Sequence, residues 1–413
     1  MRVVLRNLLL PLLLVVPALV VRIAGLHVAP PVGLLVFGAA VVAASFVLAW
    51  AAEAAEMDIS GGLAVAILAV IAVLPEYAVD LFFAYRAGSD PAYVQYAAAN
   101  MTGSNRLLLG LGWSLVVLVS LIVVSRRSGR KIRAVVLDAS HRLEVGFLAI
   151  AALVAFLIPI TGQINIILGC VLLAFFVFYL VRVGLAGEDG EPDLVGPAAA
   201  IGALRTGVRR PVVITMFVAS AVIIVLCAEP FAESLIGSGQ SLGVDEFLLV
   251  QWLAPLASEA PEFIVALIFA SRGNAVGALG MLISAKVNQW TLLIGSLPIA
   301  YLAGGGDGVL HLDARQVEEV LLTAAQTVLG VAILLALRFP RWAAYALLGL
   351  FLVQFAIPGT TGRLILSGVY LVIAIGAVVV NRHHVLPTLA APFRRLPVES
   401  ENAERELETA GQR

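Results

Sequence analysis

The sequence predicts an all-α polytopic membrane protein: two inverted five-helix repeats plus extra helices, about 12 transmembrane helices altogether. Three observations carry the membrane assignment. Hydrophobic residues make up 61% of the 413 residues and charged residues 13%, about half the charge of a soluble domain, whose surface needs more polar cover. The mean hydropathy is +1.02. The apolar residues also gather in runs of about 20, the length that crosses the hydrocarbon layer as a helix. A net charge of −1 offers no basic field to nucleic acid, and so apolar a chain is neither disordered nor fibrous.

Runs bounded by Gly, Pro or charge place spans near 3–24, 31–57, 61–87, 91–125, 144–161 and 163–185. They resume near 211–236, 245–271, 274–303, 316–337, 341–357 and 363–381. Basic residues orient them. Arg2 and Arg6 precede the first span, and Arg126, Arg127, Arg130, Lys131, Arg133 and Arg142 follow the fourth. Arg205, Arg209 and Arg210 sit in mid-chain, Arg338 and Arg341 at a late turn, and Arg382, Arg394 and Arg395 after the last span. A count of twelve puts them all on one side, which predicts a multi-pass plasma-membrane protein with both termini cytoplasmic. The first span lacks a small-residue cleavage site and reads as an uncleaved helix.

Residues 186–210 read as a cytoplasmic linker between an N-terminal half, 1–185, and a C-terminal half, 211–387. Residues 388–413 turn charged, with Glu399, Glu401, Glu404, Glu406 and Glu408, and read as a short exposed helix or a disordered tail. Cys170 and Cys227 lie in apolar runs and read as core packing. Of His27, His141, His311, His383 and His384, only the adjacent last two have ligand spacing, and that pair reads as a solvated end. No Gly-Lys-Ser/Thr phosphate loop is present, so neither nucleotide nor other cofactor is expected. An intramembrane hydrolase would need a catalytic His or paired Asp, and no His falls at mid-membrane.

The two halves resemble each other. Pro75-Glu76 and Pro261-Glu262 are each followed by aliphatic residues, an Arg and a Gly-containing turn. A polar cluster then interrupts an apolar run: Asn100, Thr102, Gly103, Ser104 and Asn105 in one half, Ser284, Lys286, Asn288 and Gln289 in the other. Five spans separate the copies, and an odd number inverts one relative to the other. Inverted repeats that hold a substrate between them characterise secondary transporters.

These residues resemble those of the sodium/calcium exchanger superfamily of cation antiporters, over residues of about 45–120 and 228–300. The family repeat carries Pro-Glu in one helix and a Gly-Ser-Asn type of cluster in the next. The resemblance implies ten core helices as two inverted fives, often with an extra first helix. It implies a cation site from Glu76, Glu262, Asn100, Ser104, Asn105, Ser258, Ser284 and Asn288, with Glu76 and Glu262 as the central ligands.

The chemistry fits. A charge at mid-bilayer costs at least about 2.5–3.5 kcal/mol, so Glu76, Asp80, Glu259 and Glu262 are functional candidates. Glu76 and Asp80 share one helix face by spacing, as do Glu259 and Glu262. Carboxylates suit Na⁺ and Ca²⁺ and also accept protons, which makes Asp80 and Glu259 proton-binding or auxiliary acids. Pro75 and Pro261 leave the carbonyls of Ile71 and Ala257 without a helix donor, and each is a further oxygen ligand beside a carboxylate. Pro255 similarly frees the Gln251 carbonyl and reads as a packing kink. The run 91–125 is too long for one span, and a break at Thr102-Gly103 would expose its polar cluster. Glu53, Glu56, Glu229 and Glu233 read as solvated helix ends or as cavity-mouth acids that attract cations.

Two features depart from the family. Ala72-Val73-Leu74 replaces the hydroxyl residues usual before Pro-Glu, and Arg106 and Lys286 place cations in the clusters. With all groups ionised, the four acids and two cations leave a charge of −2, enough for one Ca²⁺, one Na⁺ with one H⁺, or two protons. Lys286 either fills the place a Na⁺ would hold, or pairs with Glu259 or reaches the surface. The expected function is alternating-access antiport of Ca²⁺ or Na⁺ against H⁺ or Na⁺, with inorganic cations and lipid as partners. A cation channel or a cation-binding membrane protein without exchange is the alternative. No function attaches to the extra helix near 316–337.

Overall fold

Lipid offers the backbone no hydrogen-bond partner, so each apolar run satisfies its own N–H and C=O groups as a helix. The computed structural model describes residues 2–59, 71, 73–186, 194–357 and 359–394. Among them, nine helices are long and apolar enough to cross a membrane. The N-terminal half holds α1 (Arg2–Ile23), α2 (Pro30–Ala55), α3 (Leu74–Ala87), α4 (Val94–Leu107), α5 (Ser114–Ser128), α6 (Arg142–Ala155) and α7 (Ile166–Ala186). The C-terminal half holds α8 (Thr206–Leu242), α9 (Glu246–Arg272), α10 (Ala275–Asn288), α11 (Ile294–Ala303), α12 (Ala314–Leu334), α13 (Arg341–Ala356) and α14 (Thr360–Val380). Most of the expected span 61–87 before α3 lies outside the described residues, as do 187–193 of the linker and the tail from 395.

Punctuation residues set the boundaries. Gly243 adopts φ 67° and ends α8, and Asp245 then accepts from the Phe247 N–H to start α9. A capping box of Asp313 and Gln316 opens α12.

The expected break at Thr102-Gly103 is absent: α4 runs on through both residues. It joins α5 through a π-turn over Leu108–Trp113, and the whole helix, Pro91–Ser128, is 38 residues long. A second π-turn, Gln289–Leu293, joins α10 to α11. Gly103 has a packing duty instead. A Cβ there would stand 1.7 Å from the Gln251 carbonyl oxygen. Pro255 is four residues on from Gln251, so the carbonyl that it leaves without a helix donor lies against Gly103. Two helices cross where only glycine fits.

The helices that begin the two similar stretches, α2 and α8, form the most extensive helix pair among the described residues. Small residues allow it: a Cβ on Gly33 would meet Ser234 Oγ at 2.5 Å, and α2 buries Ala40, Ala43, Ala44, Ala51, Ala52, Ala54 and Ala55. The helix without an assigned function, α12, lies deepest. In its span window 78% of residues are buried, more than in any other candidate span.

The basic segments gather. Strand β1 (Ala134–Val136) pairs antiparallel with β4 (Arg338–Pro340), and the Arg341 N–H donates to the Arg133 carbonyl at 2.8 Å. Arg142 donates to Thr388 at 3.0 Å, and Phe178 stacks on Phe393 at 5.8 Å. The start of the expected exposed tail, 388–394, therefore packs on the protein, with Thr388 and Pro392 buried. Elsewhere β2 (Gln163–Asn165) pairs with β3 (Val309–His311). Cys227 is buried as expected, whereas Cys170 is exposed on the outer face of α7, where an apolar thiol suits lipid.

Beyond the end of α2, Arg209 Nε and Nη2 donate to Asp58 at 2.7 and 2.8 Å. Arg209 and then Arg210 hold the Asp58 carboxyl down at about 2, against an ordinary value of 3.8. This pairing stabilises the fold fully above pH 3.8 and is lost as pH falls through about 2. Asp58→Asn is expected to lower the Tm in detergent at neutral pH by about 2–4 °C and to remove this acid-sensitive increment. A variant as stable as the parent would contradict the assignment.

Candidate functional site

Glu76 lies in the first turn of α3, behind Pro75. A proline there costs no helix hydrogen bond, and the free N–H groups of a helix start favour a carboxylate. Glu76 is 4% exposed. Ser104 of α4 donates its hydroxyl proton to Glu76 Oε1. Gln289, the first residue of the second π-turn, supplies the remaining donor. Its Nε2 lies 2.7 Å from Ser104 Oγ, 3.0 Å from Glu259 Oε1 and 3.2 Å from Glu76 Oε1. Two amide protons thus serve three acceptors.

The outcome is a hub of two carboxylates, one from each half of the chain, bridged by one serine and one amide. All four side chains are buried, yet Glu259 Oε2 and Gln289 Oε1 have no hydrogen-bond partner. Buried acceptors left empty are costly until a cation or a proton satisfies them. Asp80 and Asn100, both fully buried, add more such atoms. They are electrostatic neighbours, and neither side chain makes a hydrogen bond of normal geometry.

Beside the hub lies a cavity of about 330 Å³. Ser258, Glu262, Ser284 and Asn288 line it, together with Glu53, Glu56 and Glu144. Tyr77 donates to Asn288 Oδ1 at 2.7 Å, and Tyr179 hydrogen-bonds Ser284 at 2.6 Å. The predicted ligands therefore separate. Glu76 and Ser104 join the hub with Glu259, Glu262 faces the cavity, and Ser258, Ser284 and Asn288 line the wall. Of the helix-end acids, Glu53 and Glu56 line the cavity. Glu229 instead pairs with Arg22 at 2.5 Å, and Glu233 accepts from Tyr93 at 2.6 Å.

Asn105 holds Lys286, donating nothing to the hub. The ammonium donates to the Asn105 backbone carbonyl and, at 2.8 Å, to its Oδ1. Lys286 has no exposed surface, and none of the described ion pairs includes it. Neither pairing with Glu259 nor escape to the surface occurs.

Arg106 also leaves the hub. It pairs with Glu319 of α12 at 2.5 Å, donates to Gln354 at 3.0 Å and lies 5.0 Å over the Trp252 ring. Arg363 of α14 pairs with Glu318 at 2.9 Å and reaches Glu319 at 3.5 Å, and Gln251 joins Thr102 to Glu319. The helix without an assigned function thus neutralises Arg106. Sequence reasoning names Gln289 only as a cluster member and Gln251 only for its carbonyl, assigning neither side chain a role, and it does not reach Glu319. Gln289 was within reach, since it follows Asn288 directly in the second cluster. Glu319 sits in a helix outside both copies, where no motif marks it.

A family model described as "Sodium/calcium exchanger protein" matches residues 29–185 and 212–358. The crystal structure of the H⁺/Ca²⁺ exchanger CAX is 41% identical, with a TM-score of 0.87 over 95% of this chain and 98% of that one. Native YfkE, at 15% identity, covers 88% of this chain and 99% of its own with a TM-score of 0.61. The sodium–calcium exchanger NCX_Mj, at 17% identity, covers 79% and 98% with a TM-score of 0.52. The last two show likeness of fold alone. No curated protein sequence matches.

Breaking a buried ion pair strands a charge, at a cost of about 3–5 kcal/mol, whereas replacing both partners by apolar residues is far milder. Glu319→Gln is therefore expected to lower stability in detergent much more than the double variant Arg106→Met, Glu319→Leu. Equal thermal unfolding of the two variants would contradict a structural role for the pair.

Proposed function

The chain belongs to the sodium/calcium exchanger family, and from that premise we propose that it exchanges Ca²⁺ for protons by alternating access at the Glu76–Gln289–Glu259 hub. A membrane carrier of inorganic cations follows from family membership, and it is not an enzyme. The observation that carries the proposal is the hub itself: two buried carboxylates share one amide donor while Glu259 Oε2 and Gln289 Oε1 stay unpaired. The 41% identical structure is of an H⁺/Ca²⁺ exchanger, which agrees with this chemistry.

Ca²⁺ is the substrate. It prefers several hard oxygen ligands in flexible geometry. Glu76, Glu259, Ser104 and the amide oxygen of Gln289 can supply them once the amide rotates away from the carboxylates. Protons are the competing occupant. With Ca²⁺ absent, a proton on one carboxylate lets it donate to its neighbours in place of the cation. Glu262, Ser258, Ser284 and Asn288 form the wall along which a cation approaches, and Glu53 and Glu56 attract it electrostatically.

The charge balance favours a small coupling ratio. Arg106, Arg363, Glu318 and Glu319 cancel among themselves. The acids Glu76, Asp80, Glu259 and Glu262 against Lys286 then leave a charge of −3 when all are ionised. One Ca²⁺ with one proton, or three protons, neutralises it, so one Ca²⁺ replaces two protons.

Alternating access by inverted repeats fits the placement of the parts. One hub carboxylate comes from each half, each half carries a π-turn next to its polar cluster, and α2 lies along α8. Clustering of Arg133, Arg142, Arg341 and the 382–394 segment at one end supports a cytoplasmic location for both termini.

Purified protein in liposomes is expected to accumulate Ca²⁺ when a pH gradient is imposed and to stop when the gradient is collapsed. Glu76→Gln and Glu259→Gln should reduce this flux about 100-fold or more, and Gln289→Leu should weaken Ca²⁺ affinity about 10–100-fold. Undiminished flux in both glutamate variants would overturn the site. Ca²⁺ entry without any counter-gradient would overturn the exchange.

A further inference from the structure

Lys286 has an environment unusual for a buried cation. Its ammonium has no exposed surface, and buried Lys is rare without a charged partner. Here the ammonium takes two oxygens of one residue, the backbone carbonyl and Oδ1 of Asn105, and stands 5.8 Å over the Trp290 ring. None of the described ion pairs includes it. Glu76 and Glu259 are within coulombic range, but it does not occupy their oxygens.

These are the ligands that hold a dehydrated monovalent cation. Neutral carbonyl oxygens replace its water, and an aromatic face adds attraction through the ring quadrupole. The hub carboxylates beside it remain free for other occupants. Asn105 follows Ser104 on α4, so this neutral-oxygen pocket and the hub share one turn of helix.

Resting on the exchange reading above, we propose that the Lys286 ammonium is a tethered monovalent cation that fills the Asn105 pocket and thereby keeps Na⁺ and K⁺ out of the transport cycle. A free ion entering the pocket would have to displace a group that cannot diffuse away, and tethering gives that group a very high local concentration. The fixed positive charge also disfavours another monovalent cation close by, while a divalent ion still gains from two carboxylates. Lys286 is therefore a specificity-determining residue. It leaves Ca²⁺ and H⁺ as the ions that compete.

The test uses the full chain in liposomes, with Ca²⁺ uptake driven either by a pH gradient or by a Na⁺ gradient at equal pH. Uptake by the parent should be indifferent to Na⁺. Lys286→Ser removes the ammonium and leaves space beside neutral oxygens, so its uptake should respond to Na⁺ about tenfold more strongly, equivalent to about 1.4 kcal/mol of binding. Lys286→Met fills the space without an oxygen ligand and should stay indifferent. Lys286→Ser uptake that is still driven by the pH gradient and still blind to Na⁺ overturns the proposal. Thermal unfolding of the parent in detergent gives a reading that needs neither folding of a variant nor transport. Na⁺ and K⁺ should leave its Tm where choline does at equal ionic strength. A rise with either metal ion overturns the proposal. If the parent shows no uptake driven by a pH gradient, the exchange reading fails, while this unfolding measurement still judges Lys286.

Discussion

A carboxylate inside a membrane must be satisfied by its neighbours, because no water is there to do it. Glu76 and Glu259 meet this constraint by sharing the Gln289 amide, with Ser104 completing the bridge. The sharing is incomplete by design of the donor count: two N–H bonds face three acceptors, and carboxylate and amide oxygens remain over. A fully satisfied network would be rigid and inert. This one has room for one more positive occupant, and that deficit is the basis of the proposed exchange.

The rest of the structure holds the hub's helices in register. Gly103 lets α4 approach the Gln251 carbonyl of α9, which sets Ser104 and Glu259 at hydrogen-bonding reach of the same amide. The small residues of α2 let α8 lie along it. On the far side of α4, the Arg106–Glu319 pair fastens the same helix to α12, and Arg363 extends the fastening to α14. Because these charges cancel locally, they anchor α4 without adding to the net charge of the hub. The π-turns sit where each polar cluster ends, and a widened turn re-aims the side chains that follow the ordinary helix.

Much of this was legible in the sequence. Apolar runs marked the spans, since a run of about 20 residues has one stable solution in lipid. The Pro-Glu pairs and polar clusters marked the helices that meet at the hub. What failed to read was geometry that depends on rotation about a helix axis. Glu259 and Glu262 are three residues apart, and only their helix phase puts Glu259 in the hub and Glu262 on the cavity wall. Pro75 reads as a mid-span proline that frees the Ile71 carbonyl but stands in the first turn of α3. The long run 91–125 invited a break at its glycine, whereas the glycine serves a helix crossing and the adjustment falls at Leu108–Trp113. Glu319 was invisible because nothing local distinguishes it from a helix-end acid, and its partner lies more than 200 residues away in sequence.

Arg106 and Lys286 looked alike in the sequence, each a cation in a polar cluster. The structure gives one a carboxylate and the other neutral oxygens, which separates the anchoring of α4 from the selectivity proposed for Lys286. The central claim is that Ca²⁺ and protons compete for the same carboxylates. Proton release on Ca²⁺ binding to the purified protein, in weakly buffered detergent, tests it most directly. The account predicts release of about two protons per Ca²⁺ bound, the coupled titration of interacting acids, and loss of that release in Glu76→Gln. Tight Ca²⁺ binding with no proton released would contradict it.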